Sequence, residues 1–113
     1  MLQDPLTISD QPGSQPGQRI LTLDGPLILP NVFLFQNTVR SDQSQNLILD
    51  FSKVPYADSA GIGALVGAYV TRQNSKRRLG LVGVCQRVRD VLKVTHVEQF
   101  FQFFESVQAA EHN

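Results

Sequence analysis

The chain has one cysteine, two histidines, one methionine and no tryptophan in 113 residues. Cys85 alone cannot close an internal disulfide, and with His96 and His112 it is too small a ligand set for structural zinc. No metal and no cofactor are expected. No apolar run approaches the roughly 20 residues that cross a bilayer, so no membrane span is expected. The opening Met1-Leu2-Gln3-Asp4-Pro5 has neither a basic start nor an apolar stretch, unlike a secretory leader. The expected location is the cytoplasm. Apolar residues make up 42% of the chain, too many for a disordered protein. The length suits one hydrophobic core, so residues 1–113 are expected to form one domain.

The formal net charge is zero, but the charges are unevenly placed. Arg72, Lys76, Arg77, Arg78, Arg87, Arg89 and Lys93 face a single Asp90 within residues 72–93. That segment is strongly positive and the rest of the chain is equally negative. A solvated basic edge is the ordinary reading, with Arg72 to Arg78 exposed beyond the end of a helix. A docking face for an acidic partner is the sharper one. Nucleic acid fits less well, because no exposed aromatics are interleaved with the cations and no recognised binding motif is present.

The periodicity predicts alternating strands and helices. A hairpin turns through Gln11-Pro12-Gly13 and Gln15-Pro16-Gly17, and Ile20-Leu21-Thr22-Leu23 stops at Asp24-Gly25-Pro26. A helix is predicted from Pro30 to Arg40, with proline in its first turn. Leu47-Ile48-Leu49-Asp50-Phe51 reads as a strand buried on both faces. Ile62, Leu65, Val66, Tyr69 and Val70 mark the buried side of a helix that Asp58 or Ser59 would cap. Gly80 to Val84 is a strand, Val88, Val91 and Leu92 line the next helix, Phe100 to Phe104 is a last strand, and Glu105 to Glu111 a last helix. The class is α/β: a mixed sheet of four or five strands, an antiparallel N-terminal hairpin, and about four helices mostly on one face. Cys85 should be half-buried and His96 should lie in a turn. Rings of the Phe100–Phe104 cluster left on an edge would allow weak self-association.

The most unusual stretch is Ala57-Asp58-Ser59-Ala60-Gly61-Ile62-Gly63-Ala64-Leu65. Gly61, Gly63 and Gly67 resemble a loosened dinucleotide fingerprint, but seven residues separate them from the strand. Ala57 to Gly61 resembles a nucleophile elbow, but no upstream Gly-rich oxyanion segment exists and the chain is short for a hydrolase. An enzyme is not expected. A third reading makes Ser59 an exposed acceptor at a positive helix end, where a phosphate is tolerated. In a fourth, Ser59 is only a cap. Gly63 and Gly67, like Ala64 and Ala68, are four apart and predicted to face away from the apolar stripe. Each interior glycine costs about 1 kcal/mol relative to alanine, so a flat face for close approach is expected in return.

These residues carry a resemblance. Leu47 to Phe51, Val54, Tyr56, Asp58 to Leu65, Arg77 to Val84, Val88 to Leu92, Val97, Phe100 and Phe104 resemble the STAS domains of bacterial anti-sigma factor antagonists, over about residues 18–111. The resemblance implies a partner-switching protein that binds an anti-sigma factor with serine kinase activity, is phosphorylated on Ser59, and is reset by a phosphatase. It implies a partner-binding face of Asp58, Ser59, Ala60, Gly61, Gly63, Ala64 and Gly67. The alternative is an unphosphorylated scaffold in which Ser59 is only a helix cap. Two positions depart from the family pattern. Gly25-Pro26-Leu27-Ile28-Leu29 is apolar where the family has acidic residues, and Ala60 replaces a hydroxyl residue.

Overall fold

The structure, a computed structural model, describes residues 4–113. The reading that Met1-Leu2-Gln3 starts no secretory leader lies outside the described residues. The elements are β1 (Thr7–Pro12), β2 (Gln18–Asp24), α1 (Leu29–Ser41), β3 (Asn46–Lys53), α2 (Ser59–Asn74), β4 (Arg78–Val82), α3 (Gln86–Val94), a 3₁₀ turn (Glu98–Phe100), β5 (Gln102–Phe104) and α4 (Val107–Glu111). They form a mixed sheet in the order β1-β2-β3-β4-β5. β1 is antiparallel to β2 and the remaining pairs are parallel.

The three parallel crossovers step in one direction across the sheet. Crossovers of one hand then leave their helices on one face. Leu21, Leu23, Leu47, Leu49, Phe51 and Leu81 point to that face. They meet Phe35 and Val39 of α1, Ile62 and Leu65 of α2, and Val88 and Leu92 of α3. Ile20, Ile48 and Val82 point the other way and are covered by Ala110 and Val107 of α4. Strand β3 is thus buried on both sides, as its nearly unbroken apolar run requires. α4 is fastened to the hairpin: Gln18 Nε2 donates to the Glu111 carbonyl at 2.8 Å, and the Ser14 N–H to the Glu111 carboxylate at 2.7 Å.

Element order agrees with the sequence reading, and boundaries shift for local reasons. β4 ends at Val82 rather than Val84 because Gly83 takes a φ of 67° and turns the chain. Only Gln102–Phe104 of the phenylalanine run is strand, the preceding turn being 3₁₀. α4 starts at Val107 because Ser106 caps it, accepting from the Ala109 N–H at 3.1 Å.

Three burial expectations are corrected. Val70 is 47% exposed; at 100° per residue it falls beside Gly63 on the solvent side of α2. Ala64 and Ala68 are buried, not turned outward. They form the flat surface on which Phe35 and Val39 of α1 sit. Arg72 is not part of the exposed basic run but a buried side chain. Its Nη1 pairs with Asp42 Oδ2 at 3.0 Å, and its Nη2 donates to the carbonyls of Ser44 and Arg78 at 2.9 and 2.8 Å. Burial pushes the Arg72 guanidinium below its ordinary pKa, and Asp42 opposes that shift.

Candidate partner-binding site at the start of helix α2

Beyond β3 the chain runs alongside the segment that follows β2. The Gly25 N–H donates to the Lys53 carbonyl at 3.0 Å, the Leu27 N–H to Tyr56 at 3.1 Å, and the Asp58 N–H to Leu27 at 3.2 Å. Leu27 and Ala57 pair as a short parallel bridge. The apolar Gly25-Pro26-Leu27 sequence therefore serves the core, since Pro26 and Leu27 are both buried. Gly61 is packed under this bridge, where an added Cβ would overlap the Leu27 carbonyl oxygen.

Asp58, not Ser59, is the N-cap of α2. Its Oδ1 accepts from the Gly61 N–H at 2.8 Å, and its Oδ2 accepts from the Leu29 N–H of α1 at 3.0 Å. One carboxylate thus satisfies orphan donors at two helix N-termini, whose dipoles both favour its negative charge. The reading of Ser59 as only a helix cap is overturned by this geometry. Ser59 is the first helical residue and exposed. None of the side-chain hydrogen bonds among the described residues uses its hydroxyl.

The partner-binding residues expected from the sequence separate into two sets. Ser59, Gly63 and Gly67 are exposed along one side of α2, with Asp58 and Ala60 half-buried at its start. Gly61 and Ala64 are buried, under Leu27 and against α1, and leave the accessible face. Added Cβ atoms at Gly63 and Gly67 would meet nothing within 4 Å, so these glycines are not required by packing inside the chain.

Sequence reasoning placed the neighbouring helix α1 but missed its contribution to this surface. Leu29 is 67% and Phe33 72% exposed on α1. The Asp58–Leu29 bond places Leu29 beside Ser59, and Phe33 stands one turn further on. An i, i+4 pair of large apolar residues following a buried Leu27 was the available signal. At the rim, the Tyr56 hydroxyl donates to Asp4 Oδ2 at 3.3 Å and the Arg87 guanidinium lies 4.8 Å over the Tyr56 ring. Desolvation, with Asp4 next, holds the Tyr56 phenol above its ordinary pKa. His96 lies at the end of α3 and His112 beyond α4, beside Gln15. Neither is hydrogen-bonded to Ser59.

The site is a flat apolar and small-residue surface with one exposed hydroxyl at a positive helix end. Such a surface suits association with another protein and modification of that hydroxyl.

Similar architecture occurs in solved structures. The Thermotoga maritima protein tm1081 superposes with a TM-score of 0.84 at 20% identity, covering 93% of this chain and 92% of that one. The anti-sigma factor antagonist SpoIIAA of Bacillus, in its phosphorylated form, gives 0.71 at 14% identity over 94% and 98%. Murine Slc26a9, an anion transporter, gives 0.71 at 22% identity, covering 97% of this chain but 22% of the transporter. At these identities the likeness is one of fold. The STAS domain family model matches residues 12–110, nearly the whole chain, and the chain belongs to the STAS domain family.

Proposed function

We propose that this chain is a partner-switching regulatory module of the anti-sigma factor antagonist type, acting in the cytoplasm as the substrate of a kinase and not as an enzyme. Unmodified, it binds an anti-sigma factor with serine kinase activity through Asp58, Ser59, Ala60, Gly63 and Gly67, extended by Leu29 and Phe33. Phosphorylation of Ser59 ends that association and a phosphatase restores it. The observation that carries the reading is Ser59 itself: an exposed, unengaged hydroxyl at the first residue of α2, beside a cap already supplied by Asp58. Its modification need not disturb the fold.

A second reading is a constitutive scaffold, favoured by the exposed Leu29, in the stretch where the family pattern is acidic, and by the exposed Phe33 one turn further on. Mass spectrometry of the protein from its native cells separates the two. Phosphate on Ser59 supports the switch; a uniformly unmodified Ser59, with the kinase present, supports the scaffold.

A further inference from the structure

We propose that the groove at the C-terminal end of α2 is a second docking site, which takes an acidic segment of a partner protein. The groove encloses about 440 Å³ and is lined by Lys76, Arg77 and Arg78, the rings of Tyr69 and Phe100, and Gln102. α2 rises about 22 Å from Ser59 to this end, so the site is separate from the switch surface and independent of its proposed function.

Four observations carry the proposal. Among the described residues the ion pairs use Arg19, Arg72 and Arg89, and no Asp or Glu carboxylate lies within 4.0 Å of Lys76, Arg77 or Arg78. The Arg78 guanidinium donates to the backbone oxygen of Asn113 at 3.2 Å, on the α4 side of the sheet. Lys76 and Arg77 are therefore the two unpaired cations left at the groove.

Lys76 has a φ of 57°. The Arg77 N–H bonds to the Arg72 carbonyl at 2.8 Å and the Lys76 N–H to Gln73 at 3.0 Å. This is the helix ending in which glycine is the ordinary residue, so a lysine is held there against backbone preference.

Phe100 is 42% exposed and stacks on Tyr69, with centroids 5.5 Å apart and an interplanar angle of 18°. It gives the groove an apolar wall. Finally, β5 is the edge of the sheet, and Gln102 opens it, so an extended segment can add main-chain hydrogen bonds there.

The chemistry favours a peptide over a compact anion. The groove stands at the negative end of the α2 dipole, with no converging N–H groups to cradle a phosphate. The cations are spread along an open trough, which suits carboxylates spaced on an extended chain. A nucleic acid would ask for excess positive charge, but the chain is neutral overall.

The test uses the full chain and a fluorescein-labelled Glu-Glu-Phe-Glu-Glu peptide, followed by anisotropy and by amide shifts. The expected result is binding that weakens about tenfold between roughly 50 and 300 mM salt. Shifts should cluster at residues 73–79 and 100–102, with none at 58–63. R77E should weaken binding at least about tenfold. K76G should do the same while raising the melting temperature, since glycine suits that backbone; a folding defect therefore cannot account for its loss. The proposal is overturned by absent binding at low salt, by unchanged affinity in K76G and R77E, or by shifts centred on Arg40 or Lys93. Tighter binding of tripolyphosphate or of an oligouridine than of the peptide also overturns it.

Discussion

Asp58 on α2 accepts a hydrogen bond at 3.0 Å from the backbone N–H of Leu29 on α1. The same carboxylate caps its own helix through Gly61. The two helices that flank the proposed partner-binding surface thus share one acceptor at their N-termini, and the surface around Ser59 is held by the residue before it.

Asp58→Ala should therefore cost more than an ordinary cap, about 2 kcal/mol, because two N–H groups lose their partner. Asp58→Asn keeps both acceptor positions within reach and should cost less than half of that. Urea denaturation of the two variants checks this. A loss in Asp58→Ala below about 0.5 kcal/mol would mean that water replaces the carboxylate at no expense.

The α2 glycines should respond with opposite signs. Gly61→Ala drives a methyl into the Leu27 carbonyl and should destabilise by about 2–3 kcal/mol. Gly63→Ala and Gly67→Ala open onto empty space and should each stabilise by about 1 kcal/mol. Thermal denaturation measures all three. A more stable Gly63→Ala that binds its partner less well would locate the interface on that side of α2.

Asp42→Ala leaves the Arg72 guanidinium buried without its counter-charge, an arrangement that typically costs 3–5 kcal/mol. Arg72→Ala removes the charge together with four hydrogen bonds, to Asp42, Ser44 and twice to Arg78, and leaves Asp42 with its bonds from Ser44. It should cost no less than about 2 kcal/mol. Equilibrium unfolding of both variants, and of a charge-neutral replacement of the pair, is the check.

The legible parts of this fold are those where one periodicity dominates. β3 is short, apolar and flanked by polar residues, and the change from period two to period 3.6 at Ser59 locates α2. What stayed hidden depends on contacts between distant segments. Arg72 resembles the more exposed Lys76 and Arg78 until Asp42, thirty residues earlier, is placed against it. Ala64 and Ala68 are as compatible with a solvent face as with a helix seam, and only the arrival of Phe35 and Val39 decides. Asp58 and Ser59 were equally good caps by composition, and the backbone gives the role to Asp58. The exposed Leu29 and Phe33 were hidden because a helix starting at Leu29 with few charges shows little contrast between its faces.

His96 repeats the helix ending seen at Lys76. Its φ is 63°, with the Val97 N–H bonded to the Leu92 carbonyl at 3.0 Å. His96→Gly should stabilise by roughly 0.5–1 kcal/mol, the left-handed penalty less the added freedom of the unfolded chain. A lower melting temperature in His96→Gly would show that the ring makes contacts worth more than the strain it imposes.

The central claim is that Ser59 switches partner binding without supporting the fold. The direct measurement is a calorimetric titration of the unmodified protein, Ser59→Asp and Ser59→Ala against the cognate anti-sigma kinase, with a melting curve for each. Because Asp58 carries the cap, all three should melt within a few degrees of one another. Ser59→Ala should bind like the unmodified protein. Ser59→Asp, with a charge added at the interface, should bind about a hundredfold more weakly, a difference of roughly 2.7 kcal/mol. Equal affinity for all three forms, at equal melting temperatures, would contradict the switch and leave a constitutive scaffold.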